Sequence, residues 1–174
     1  MAIYIEQDPA EVRSSFEVQR RAEIRSLRLL SASLKSHPAI RKLTHPLDAS
    51  IGFQVTSAEQ TEKELTVVLD FTLSANDSGE PPQRAYRIKC AIAVTYDLEH
   101  DFEPSEEQLK AFSQANAVFN AWPFFREFSQ SAGQRMGLKE PPIIPFLKLI
   151  PKAKNGTADK EMRASGVSSN NLED

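Results

Sequence analysis

The residues of this chain whose types could do chemistry are three histidines, one cysteine, a run of acids and a cluster of arginines. His37 and His45 each stand directly before a proline, and His100 lies far from both. As zinc ligands they would need partners that a single strand-borne thiol, Cys90, does not supply. Cys90 falls on the apolar side of an alternating stretch, where a thiol is buried and inert. Asp70 alternates onto the solvent side of its own stretch, with nothing to pair it with a second carboxylate. No glycine loop for a phosphate occurs, nor a nucleophile elbow, nor HExxH. The expectation is therefore no catalytic residue, no metal ligand and no cofactor.

Six acids lie between Asp97 and Glu107. They suit an acidic docking surface or, with His100, a metal site; they equally suit a solvated loop entering a helix. Ser105 followed by Gln108 makes a capping box, and Glu106 and Glu107 then sit at the positive helix end. Arg20, Arg21, Arg25 and Arg28 could meet an acidic partner, but Glu17 and Glu23 interleave with them as on an ordinary wet face. The net charge of −3 over 174 residues is not that of a nucleic-acid binder. Apolar runs fall far short of the roughly 20 residues that cross a bilayer, and the first residues lack a signal peptide's pattern. One cysteine cannot build a disulfide framework, so a cytoplasmic protein without membrane insertion is expected.

The elements that must position these residues read as α+β. Asp8 as N-cap, Pro9 at the first helical position and Glu11 in the first turn open a short N-terminal helix. Where it ends is open: Ile24, Leu27, Leu30 and Leu34 fit a helical stripe, yet Arg28, Leu30, Ala32 and Leu34 also fit one face of a strand. Three stretches then alternate with period two. In the first, Ile51, Phe53 and Val55 are the apolar positions; in the second, Leu65, Val67, Leu69, Phe71 and Leu73. In the third they are Tyr86, Ile88, Cys90, Ile92, Val94 and Tyr96. Short connectors make them antiparallel neighbours with one wet face.

Leu109, Phe112, Val118, Phe119 and Trp122 follow a helical stripe. Pro123 would cost about 3 kcal/mol or more inside a helix and little in a first turn, so two helices in tandem with a bend at Asn120 to Pro123 are expected. The second should run to about Met136, with Gly137 as a left-handed cap. Phe125, Phe128, Ala132 and Met136 share its packing stripe. Beyond residue 150 the chain has almost no large apolar residue and reads as a disordered tail.

The remaining signal is apolar area beyond what one sheet and two helices need: Phe119, Trp122, Phe124, Phe125, Phe128 and the proline-broken arm Pro141 to Leu147. Such an arm should not pack as regular structure. Here the chain resembles the SecB-type chaperones. In that family an aromatic-Pro-aromatic-x-Arg-Glu segment begins a long helix, and an Arg, a Gly and a proline-broken apolar arm follow. In this chain these stand as Trp122-Pro123-Phe124-Phe125-Arg126-Glu127, Arg135, Gly137 and Pro141-Pro142-Ile143-Ile144-Pro145. The resemblance covers roughly Ile24 to Leu149 and makes 23–36 the first of four antiparallel strands.

It implies one SecB-like domain over residues 1–150: helix 9–22, sheet 23–97, helices 105–136 and arm 138–150, with a polar tail at 151–174. It further implies an ATP-independent chaperone, a homotetramer arranged as a dimer of dimers, that holds unfolded or precursor polypeptides in apolar grooves. Phe71, Tyr96, Phe119, Trp122 and Phe146 would face the client, while Phe125, Phe128 and Met136 would pack helices or subunits. Docking on SecA does not follow, because the candidate first strand carries Arg25, Arg28 and Lys35 where export chaperones present acids. Clients connected with a toxin–antitoxin system are the alternative within the family. A small-ligand-binding or enzymatic α+β domain, or a purely structural subunit, is the alternative outside it.

Overall fold

The computed structural model describes residues 2–38, 40, 47–140 and 142–152. His45, Pro141 and the tail from 153 onward lie outside the described residues. Four long strands form one antiparallel sheet: β2 (Ala22–Ser36), β3 (Leu47–Gln60), β4 (Glu64–Asp77) and β5 (Arg84–Leu98), in the order β2-β5-β4-β3. The strand reading of 23–36 thus holds. Bulges between Ile24 and Ser26 and between Leu29 and Ser31 reset its faces. Leu29, Ala32 and Leu34 therefore point with Ile92, Cys90 and Ile88 of β5, whereas Arg28 points the other way with Ala93, not with Ala32 and Leu34 as simple alternation suggests.

The strand β1 (Ala2–Gln7) precedes helix α1 (Pro9–Gln19), which opens as expected, Glu11 accepting from the Asp8 amide at 2.8 Å. After the sheet, α2 (Glu106–Phe112) starts at the Ser105–Gln108 box, with 2.8 and 3.3 Å reciprocal bonds. A wide π-helical turn at Ser113–Ala117 leads into α3 (Val118–Arg135). The break between the two helices is this turn and not Pro123. That proline lies inside α3 on its exposed side, so water can serve the carbonyl left without its amide. The wide turn rephases the helix, burying Val118, Ala121, Trp122 and Phe125 while Phe119 faces outward. Gly137, at φ 76°, ends α3, and the amides of Gly137 and Leu138 bond back to Gln134 and Gly133.

The arm is irregular over residues 142–145, as expected, but its end is regular. Phe146–Pro151 forms β6, paired in parallel with β1 from Ala2 opposite Phe146 to Gln7 opposite Pro151. It lies close because Gly133 has no Cβ; one placed there would come within 2.5 Å of Pro142 Cδ. The core fills the space between the sheet's inner face and α3. Phe71 stacks on Phe125 at 4.6 Å, and Trp122 meets Phe53, Phe71 and Phe125 edge-on at 5.6 to 6.1 Å.

Candidate functional site: an apolar groove at α1, α3 and β6

Of the five residues expected to face a client, Phe71, Tyr96 and Trp122 are instead core residues, at most 2% exposed. Their strand or helix face is the one that α2 and α3 press against the sheet. Phe119 and Phe146 do reach the surface, at 45% and 65% exposure. Of the packing residues, Phe125 is fully buried, and Phe128 and Met136 are partly buried against the same core.

The motif residues tie the arm down. Trp122 Nε1 donates to the Pro145 carbonyl and Arg126 Nε to that of Ile144, both at 2.9 Å. The Arg126 guanidinium also lies 4.3 Å from the centre of the Phe146 ring. With Ile144 and Leu147 buried, the arm is held along α3 at each residue from Ile144 to Leu147. Sequence spacing showed an Arg in a motif; only the returning chain shows what the Arg holds.

The clamped arm makes one wall of a groove of about 280 Å³, with α1 and the start of α3 as the others. Val12 and Phe16 of α1, Phe119 of α3 and Leu149 and Ile150 of β6 supply its apolar lining. Gln7, Gln19, Asn116 and Asn120 supply uncharged amides. Ser15 donates to the Asn116 side chain beneath the groove, and Asn120 donates to the Tyr96 hydroxyl at 3.0 Å. Burial pushes that hydroxyl up to about 12 despite the Asn120 bond, so Tyr96 stays neutral. Val12 and Phe16 are four residues apart and so share one face of α1, which their spacing alone shows; the return of β6 beside them is not visible there, because the strand pairing is long-range.

The other reactive groups do not assemble. Among the described residues no three of His, Cys, Asp and Glu come together as a metal site. Burial, with a smaller contribution from the Asp70 charge, pushes the Cys90 thiol up to about 12, away from nucleophilic use. Asp70 accepts from Gln54 at 3.4 Å on the wet face. His100 pairs with its neighbour Asp101 on an exposed turn, at 2.6 Å. Arg25 pairs with Glu64 and Asp97, and Arg21 covers Phe102. No described helix is long and apolar enough to cross a membrane.

No protein-family model matches the chain, and no curated protein matches it. Among solved structures, a SecB-like chaperone of Mycobacterium tuberculosis, in complex with a ChAD peptide from the HigA1 antitoxin, superposes with a TM-score of 0.68 at 21% identity. The match covers 78% of this chain and 97% of that one. A protein of unknown function from Streptococcus agalactiae aligns at 12% identity and a TM-score of 0.35, over 72% and 98% of the respective chains. The four-stranded antiparallel sheet, its tandem helices and the likeness to the mycobacterial chaperone together make the fold of the chain SecB-like.

Proposed function

We propose that this chain is an ATP-independent chaperone that holds non-native polypeptides through apolar contacts, without catalysis or a cofactor. The observation that carries the reading is the groove of α1, α3 and β6. Its aromatics Phe16 and Phe119 are about half exposed around side-chain amides that can bond a peptide main chain of any sequence. Phe146, the first residue of β6, is a further exposed aromatic. Phe71, Tyr96 and Trp122 support the apolar surface from below rather than touch the client.

The proposed assembly is a cytoplasmic homotetramer, a dimer of dimers, in which β2 supplies a contact. Ile24, Leu29 and Leu34 lie on the sheet's inner face, beyond the reach of α3, and among the described residues β2 is an edge strand whose outer side pairs with no other strand. Several grooves on one particle would add avidity to weak contacts. An antitoxin segment is the second reading of the client, favoured by the structural likeness to a chaperone solved with such a peptide. Export by way of SecA has less support, since Arg25, Arg28 and Lys35 stand on β2.

The test is suppression of aggregation of a denatured model protein, without nucleotide, by substoichiometric tetramer. Wild type should suppress it, and Phe16→Ser with Phe119→Ser should lose most of the effect while keeping its melting temperature. Absence of suppression by wild type would sink the reading.

A further inference from the structure

The face of the sheet turned away from the helices carries charges that the described chain does not neutralise. Lys35 of β2 stands directly opposite Arg87 of β5, and Lys89 lies two residues along on the same face. Like charges directly opposed across an antiparallel pair destabilise it. None of the three enters an ion pair among the described residues, and Arg87 Nε is buried without a hydrogen-bond partner. The carboxylates sharing this half of the face are Asp70, engaged with Gln54, and Asp48, near the end of β3. The acids Glu64 and Asp97 lie at the far end, where Arg25 answers them.

Around the cations the surface is small and hydroxyl-rich. Ser33 and Thr72 flank Lys89 in register, and Ser74 flanks Arg87, with Ser50 beyond it. Beside them lies a shallow concavity of about 680 Å³, lined by the row of Ser33, Lys89, Thr72 and Gly52 and, in the next row, by Asp70 and Gln54. A Cβ at Gly52 would meet nothing within 4 Å, so the β3 end of that row is open to an approaching backbone.

We propose that this half of the outer sheet face binds an acidic polypeptide segment of a partner protein, lying extended across it. Charge complementarity names the occupant. The Lys35–Arg87 row and the Lys89 row are two strand residues apart, about 7 Å, which is the spacing of alternate side chains on an extended chain. Carboxylates at every second position would therefore meet both rows, with the serine and threonine hydroxyls as further donors. Nucleic acid, the other polyanion, is disfavoured by the net charge of −3. The site is separate from the groove and does not rest on client capture there.

The experiment is a fluorescence-anisotropy titration of the full-length protein against a short labelled peptide of alternating glutamate and threonine. The peptide should bind at low salt, weaken as salt is raised, and weaken about tenfold or more in the Lys35→Glu, Lys89→Glu double variant. Both positions are exposed, so the fold and the suppression of aggregation should survive the change. No binding at low salt, equal binding by the double variant, or equal binding of a lysine-for-glutamate peptide would overturn the proposal. Displacement by inorganic phosphate at equal charge would also overturn it, by showing a site for small anions only.

Discussion

β5 and β2 lie side by side and pair along almost their whole length, yet their apolar residues meet opposite environments. On β5, Ile88, Cys90, Ile92, Val94 and Tyr96 are sealed beneath α2 and α3. On β2, the residues opposite three of them and on the same face, Leu34, Leu29 and Ile24, are 41 to 49% exposed. Hydrophobicity is therefore not what distinguishes a core strand from an edge strand here; the reach of the helices is. Among the described residues, the sheet is wider than the layer that covers it. The uncovered strip is either an unusually large exposed patch or half of an interface.

The sharpest way to test the covered side of this contrast is Phe71→Ala. It removes the ring that stacks on Phe125 and meets Trp122 at the centre of the layer. Chemical denaturation should show a loss of about 3–5 kcal/mol, the range for emptying a buried aromatic site. A loss below about 1 kcal/mol would mean that the sheet and α3 are not packed as described.

On the uncovered side, Leu29→Ser with Leu34→Ser should change the stability of the separated chain by only about 0.5 kcal/mol per site, as surface positions do. Its effect should instead appear in mass. Light scattering should find wild type at four times the 19.5 kDa chain and the double variant at a smaller assembly. An unchanged mass would show that β2 is not where the chains meet.

The contrast also explains what could be read in advance. Period two marked β3, β4 and β5, because a strand with one wet and one dry face writes that difference into alternate residues. β2 is wet on both faces in the single chain and carries two bulges, so its pattern fitted a helix as well as a strand. β1 and β6 escaped because six residues hold few alternations, and their pairing joins opposite ends of the chain. The aromatic surplus was legible, but its division was not. Trp122 and Phe119 stand three residues apart, and only the phase set by the turn at Ser113–Ala117 decides that one is core and the other groove. Composition carries no record of that phase.

The smallest effect, and the one that asks whether the covered side is dry, belongs to Cys90. A thiol at ordinary pKa 9.0 is raised to about 12 in the folded chain by burial first and Asp70 second. Between those values the folded state keeps a proton that the unfolded chain releases, so it binds more protons and stability falls as pH rises. Below about pH 9 both states hold the proton and the effect vanishes. Tyr96, ordinarily 10.0 and raised to about 12, adds to the upper part of the same window. Denaturation midpoints measured across this range should decline, and Cys90→Ala should flatten the first part of the decline, before the tyrosine contributes. At pH 8 the thiol should resist alkylation in the folded protein and react on unfolding. Rapid alkylation of the native chain, or parallel pH curves for wild type and Cys90→Ala, would mean that water reaches beneath β5 and that the two strands differ less than their burial indicates.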